Sequence, residues 1–187
     1  HGGRGWVISG NTFRNIASPS RRVAEHAIHL WNGSADNTVE NNLIVNSDRG
    51  IGFGLTSDPS RGNQGGEIAA NTILHTRQDD PFSDVGIALE SSPGTRVIGN
   101  VIYLGHSYPN AIEYRFQSTR DVEIAGNITN RAIVARDGAE AVVRDNRIMI
   151  GARRTADRIA ARPRSPRRRP SASGTGHRWQ RRRIQAT

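Results

Sequence analysis

Residues 86–103 read GIALESSPGTRVIGNVIY and hold two unlike patterns. GIALE alternates, with Ile87 and Leu89 on one face and Ala88 and Glu90 on the other, as in a strand that buries one side. After a turn rich in Ser, Pro and Gly comes RVIGNVI, where Val97 stands three before Asn100 and Ile102 two after it. Both halves recur along the chain. The second appears as VISGNTF, TVENNLI, EIAANTI, RVIGNVI, EIAGNIT and VVRDNRI, with Asn11, Asn42, Asn71, Asn100, Asn127 and Asn146 in register. The residue three before each Asn is Ile8, Val39, Ile68, Val97, Ile124 or Val143, and among the residues two after it only Thr129 is not apolar. Successive Asn are 31, 29, 29, 27 and 19 residues apart, the range of solenoid repeats.

The first half recurs as AIHLW, GIGFGL, GIALE, AIEYRF and AIVAR, each opening on a small residue and an Ile. Alternation puts Ile28 with Leu30, Ile51 with Phe53 and Leu55, and Ile112 with Tyr114 and Phe116 on the buried face. The opposite face carries His29, Gly52, Ala88, Glu113 and Val134, then Trp31, Gly54, Glu90, Arg115 and Arg136. No segment holds an apolar stripe of helical period, and Gly and Asn interrupt every candidate run. Strands this short cannot bury one face alone and must stack on copies of themselves in a parallel coil. The recurrent Asn is expected to take the left-handed backbone of a sharp corner and to hydrogen-bond its copies above and below.

Charge is confined to one end. Residues 1–150 hold 14 Arg against 16 Asp plus Glu, a net of −2; residues 151–187 hold 12 Arg against Asp157, a net of +11, which together make the chain's +9. The folding part is slightly acidic, so nucleic acid is a poor partner for it. No residue is Lys, which excludes amine bases, Schiff bases and a P-loop Lys; no residue is Cys, which excludes disulfides and thiolate metal sites. No apolar run approaches the roughly 20 residues of a membrane-spanning helix.

The GIxL strand, a turn and the VxxNxI strand, as in residues 86–103 and in GIGFGLTSDPSRGNQGGEIAANTIL, resemble the repeat of right-handed parallel β-helix proteins of the pectate-lyase-like superfamily, over residues 5 to about 150. The resemblance implies an all-β, right-handed parallel β-helix of about five to six coils. That architecture hosts polysaccharide lyases, glycosidases, uronan epimerases, phage tailspikes, adhesins and periplasmic copper-site maturation proteins. It implies a secreted, periplasmic or cell-surface protein, with a polysaccharide groove on the outer face of the first strand of each coil. From Asn to the next first-strand Ile the distances are 17, 9, 16, 12 and 6 residues. The long insertions ASPSRRVAEH, RQDDPFSD and GHSYPN therefore precede that strand, TSDPSRGNQGG follows it, and loops on a rigid scaffold are where sites form.

Two candidate constellations follow. In the first, Glu25, His26, His29 and Trp31 lie beside Gly52 and Gly54, whose missing side chains are expected to leave a bare floor for a sugar ring, with Trp31 stacking on it. The plain alternative is that these are exposed strand residues and packing glycines. In the second, Glu113 and Arg115 project outward beside Glu90, and a Glu90–Arg115 ion pair across strands explains them structurally. The functional reading has Arg115 neutralise a uronate carboxylate while His29, His106 or Tyr108 accepts the acidified proton; Tyr103 is a further nearby candidate. No cofactor is expected. His26 and His29 are expected on different faces, so that they, His75 and His106 form no metal set, and Asp79, Asp80 and Asp84 read as a solvated turn rather than a Ca²⁺ site.

After Ile150 the repeat, the alternation and the acids all stop. Residues 151–187 are expected to be a disordered basic arm or an out-of-frame reading of GC-rich DNA. The start at His1 and the uncapped repeats suggest one domain, residues 1–150, from a longer β-helix whose open rungs favour aggregation if isolated, though a monomer is expected. The function expected is a carbohydrate-active β-helix performing β-elimination or related chemistry on an acidic polysaccharide. The alternative is a non-catalytic surface or periplasmic β-helix that binds glycan or serves as a scaffold.

Overall fold

A computed structural model describes residues 2–19, 22–80 and 82–149; the basic segment 151–187 lies outside the described residues. Three parallel sheets wind around one core. Sheet one stacks His26–Leu30, Arg49–Phe53, Ile87–Glu90, Asn110–Arg115 and Ala132–Arg136. Sheet two stacks Val7–Ser9, Thr38–Glu40, Glu67–Ala69, Arg96–Ile98, Val122–Ala125 and Ala141–Arg144. Sheet three stacks Thr12–Arg14, Leu43–Val45, Thr72–His75, Val101–Leu104, Ile128–Thr129 and Arg147–Ile148. A small pair, Ser34–Ala35 with Asn63–Gln64, lies in the turn from sheet one to sheet two.

The repeat columns are the registers. Ile28, Ile51, Ile87, Ile112 and Ile133 pair in succession, as do Ile8, Val39, Ile68, Val97, Ile124 and Val143. These columns meet the Phe13–Ile44–Ile73–Ile102 column inside the coil, where Ile51, Ile68, Ile87, Val97 and Ile112 are fully buried. Each such side chain contributes about 1.5–3 kcal/mol of burial free energy, which short strands supply only by stacking.

Between sheets two and three the Asn ladder is continuous. Asn42, Asn71, Asn100 and Asn127 each donate backbone N–H and Nδ2 to the Oδ1 of the next Asn at 2.9–3.1 Å. The left-handed backbone, however, belongs to the residue before each ladder Asn: Gly10, Asn41, Ala70, Gly99, Gly126 and Asp145, with φ of 51–68°. This corrects the expected role. The corner is turned one residue earlier, which frees the Asn side chain to point inward and bond its copies.

Sheet one departs from strict alternation at both ends. The small residue before Ile28, Ile51, Ile87 and Ile112 also packs on the core: a Cβ on Gly50 would lie 2.9 Å from Ile73 Cδ1, and one on Gly86 2.6 Å from Ile102 Cγ2. At the other end Gly54 and Phe116 have φ of 77° and 72°, so the alternation stops before Leu55 and Phe116. Neither joins the core as expected, and Phe116 lies instead beneath the Arg115 guanidinium at 4.8 Å.

Candidate functional site

The outer face of sheet one divides into an aromatic half and an ionic half. The aromatic half begins at His26–Leu30. The loop before this strand is anchored by Asp48, which is buried and accepts from the Ser18 N–H at 2.7 Å and the Glu25 N–H at 3.3 Å. From this anchored entry the His26 ring turns outward and meets His29 at 4.3 Å between centroids. The two rings were expected on different faces; the irregular strand entry, with Ala27 packed against the core, brings them together. His29 continues the run to Trp31, stacked at 5.7 Å and 16°, and the Arg61 guanidinium lies 5.0 Å over the Trp31 ring. A row of three rings capped by a cation results.

The bare glycine floor is not there. A Cβ on Gly52 would lie 2.6 Å from the His26 ring, so His26 already covers this glycine. Gly54 is left-handed and packs so closely on the next coil that a Cβ would collide with the Glu90 carbonyl. Both glycines serve packing. The Gly54 carbonyl accepts from His29 Nε2 at 2.8 Å, which fixes the neutral tautomer and leaves the Nδ1 lone pair as the basic atom. Burial holds His29 below the usual imidazole range, and burial followed by the neighbouring His29 and Arg49 charges pushes His26 down to about 2. Both rings are therefore held in the neutral form at pH 7. Glu25 is exposed at the strand entry.

The ionic half lies on the later coils, where each charge is paired. Arg115 bonds Glu90 at 3.3 Å, the cross-strand pair expected from the register, and also Asp137 at 2.9 Å. Glu113 occupies an outward position but is 3% exposed, because the loop before its strand folds over it. It accepts from the Tyr108 hydroxyl and Asn110 Nδ2, both at 2.6 Å, and from Arg136 at 3.0 Å. Tyr108 is a hydrogen-bond donor here, its pKa raised by burial and then by the bond to Glu113, so it does not supply the proton acceptor proposed for it. Burial raises Glu90 as well.

His106 is also removed from Arg115's surroundings. It is 2% exposed and packs edge-on against His75, with ring centroids 4.6 Å apart. Its Nδ1 accepts from the Tyr108 N–H at 3.3 Å, and burial, then His75 and Arg131, lowers its pKa to about 4. His75 donates from Nδ1 to the Arg77 carbonyl at 3.1 Å and accepts at Nε2 from the Ser83 hydroxyl at 2.6 Å, which ties Arg77 and Ser83 to the end of the sheet-three strand. The four histidines thus form two separate pairs. Among the described residues no group of three or more His, Asp or Glu is arranged to hold a metal ion, and Asp84 is ion-paired with Arg49. No helix among those residues is long and apolar enough to cross a membrane.

Arg61 and Asp48 are the residues that sequence reading missed. Arg61 closes a short 3-10 turn, Pro59–Arg61, inside the TSDPSRGNQGG insertion, and the length of that loop was its only signal. Asp48 lies in a short turn with nothing to mark it.

No curated protein and no solved structure matches the chain. A family model described as the right-handed beta helix region matches residues 1–152, most of the chain and all three sheets, and the chain belongs to the right-handed β-helix family.

Proposed function

We propose that the protein is a glycan-binding β-helix, outside the cytoplasm and monomeric, that takes acidic polysaccharide on the outer face of its first coils. The observation that carries this reading is the row His26, His29 and Trp31 with Arg61 above the indole. His29 stacks on Trp31 and Arg61 lies over it, so what the row offers to the C–H side of a pyranose is the apolar ring surface left open beside these contacts. Arg61 makes no ion pair with an acid among the described residues, so its charge remains for a uronate or sulfate group. Calorimetric titration with polygalacturonate, alginate and a neutral glucan should give binding to the acidic polymers alone. Trp31→Ala should weaken it about tenfold or more. Equal affinity for the neutral glucan, or no loss in the Trp31 variant, would sink the reading.

A second reading, the uronate lyase, is favoured by His29 alone. Its Nδ1 lone pair is oriented by the Gly54 bond and could take the proton next to a uronate carboxylate. The electron pair left behind forms the ring double bond as the C–O bond to the leaving sugar breaks, and that oxygen takes its proton from solvent water. Ultraviolet absorbance of the unsaturated product, present in the wild type and lost in His29→Ala at saturating polymer, supports it; silence across the same polymers excludes it.

A further inference from the structure

The row of rings makes no use of the contact between Ser83 and His75. The Ser83 hydroxyl lies 2.6 Å from His75 Nε2. His75 Nδ1 lies 3.1 Å from the Arg77 carbonyl, which only an N–H on that nitrogen satisfies, so the Nε2 lone pair faces the hydroxyl. A nucleophile, a base and a third group that orients the base thus stand within hydrogen-bond reach, the arrangement that activates a serine. Asp80 Oδ2, 3.6 Å from the same Nε2, favours the imidazolium that forms once the proton has moved. Burial holds His75 below the usual imidazole range, so the base is ready to take a proton at pH 7.

These groups are fixed by their surroundings. His75 ends the strand Thr72–His75, and His106 packs edge-on against its ring at 4.6 Å. On either side of Ser83, the Phe82 N–H donates to Asp80 Oδ1 at 3.2 Å and the Asp84 N–H to the Asp48 carbonyl at 2.8 Å. Reacting groups held this way need little further ordering. Ser83 also lines a pocket of about 380 Å³ at the entry of sheet one, near the small end of ligand cavities. Val23, Phe82 and Tyr108 give its wall apolar surface, and Arg22 and Arg49 give it positive charge. Arg49 is tied to Asp84, whereas Arg22 is exposed.

We propose that Ser83 and His75 are a catalytic dyad that removes a short acyl group, acetyl or propionyl, from the ester of an alcohol. Ser83 Oγ adds to the ester carbonyl carbon while its proton passes to His75 Nε2. The C–O bond to the alcohol breaks, and the alcohol oxygen takes that proton from His75, leaving the acyl group on Ser83. Water then adds to the acyl carbon and gives a proton to Nε2. The Oγ–C bond breaks, Ser83 recovers the proton and the carboxylic acid departs. The positive wall favours the negative charge that develops on the carbonyl oxygen in both halves of the reaction. This activity is independent of the glycan reading, since it uses none of the residues in the row.

The full chain is tested with para-nitrophenyl acetate and para-nitrophenyl octanoate, and separately with a fluorophosphonate, which adds covalently to activated serines. Nitrophenolate should be released from the acetate, and about tenfold or more slowly from the octanoate. Peptide mass mapping should place the phosphonate on Ser83, and labelled protein should lose its turnover. Ser83→Ala should lower turnover about a hundredfold or more. That variant leaves His75 Nε2 without its hydroxyl partner, so its melting temperature is measured as well. Mapping of the wild type needs no variant and decides the matter even if Ser83→Ala unfolds. No release above the buffer rate, absence of the phosphonate from Ser83, or turnover retained in Ser83→Ala overturns the dyad and leaves Ser83 as an anchor of its loop. Equal rates on the two esters overturn the short acyl group as substrate. Glycan binding at Trp31 is untouched by each of these results.

Discussion

At the residue scale, the ladder asparagines are the positions where one side chain carries most structure. Asn71 is fully buried, donates to the Val39 carbonyl and to Asn100, and accepts two bonds from Asn42. In Asn71→Ala the Asn42 donors and the Val39 carbonyl lose their partners inside the core, at about 1–3 kcal/mol for each unsatisfied group. A loss of about 3–5 kcal/mol is expected. Asn11 occupies the same place in the first coil but is exposed, so water replaces its bonds and Asn11→Ala should cost under about 1 kcal/mol. Urea midpoints of the two variants measure the difference. Equal losses would mean that the ladder acts as a local corner device and not through burial.

At the element scale, sheet one shows what a linear pattern can and cannot carry. The Ile and Val columns were legible because burial of one strand face leaves a period of two in the sequence, and stacking repeats it coil after coil. Where backbone geometry breaks that period, the pattern misled: Phe116 continues the alternation of Ile112 and Tyr114 in sequence, but its left-handed φ turns it out of the core. His26 and Gly52 were named as candidates, yet that one covers the other depends on the strand entry, which depends on Asp48 in a different coil. Contacts across coils of this kind have no fixed offset along the chain. The small residue before each Ile was visible but unexplained, and the structure supplies the reason. It faces the core at the corner with sheet three, so Gly86→Val would drive a branched side chain toward Ile102 and the Ala111 carbonyl, 2.6 and 2.9 Å from the first added carbon. About 3 kcal/mol of destabilisation is expected from overpacking. Ala132 precedes Ile133 in the last sheet-one strand, opposite Asn110 where the register shifts, and is half-buried, so Ala132→Val should cost less than about 1 kcal/mol. Thermal melts of the pair would contradict this account if the order were reversed.

At the scale of the whole molecule, the core columns are buried through the middle coils and exposed at the last coil among the described residues. Val143 and Ile148 occupy core columns but are 44% and 54% exposed, whereas their counterparts Val97 and Ile102 are 0% and 1% exposed. Stability in such a stack is a sum over neighbouring coils, so the buried groups of the middle coils decide how it responds to pH. Four histidines of the first and middle coils have depressed pKa values: burial is the leading cause for each, with His26 held at about 2 and His106 at about 4, and His29 and His75 below 6.5. Below pH 6.5 the unfolded chain takes up protons that the folded chain refuses, so stability is complete above 6.5 and falls on acidification. His75 and His106, both 2% exposed, each contribute a slope of up to about 1.4 kcal/mol per pH unit within that window. Glu90 works in the opposite sense, since its pKa is raised by burial and the folded state binds its proton first. Carboxylates held low, such as Glu123 between Arg96 and Arg144, lose their contribution only at more acidic pH, so between pH 7.5 and 5 the histidines are opposed by Glu90 and not reinforced by these ion pairs. Urea midpoints should fall steadily from pH 7.5 to pH 5, with a shallower slope in His106→Gln whatever that variant's absolute stability. A midpoint that stays flat across this range, or a slope unchanged by the substitution, would show that the histidines protonate in the folded protein.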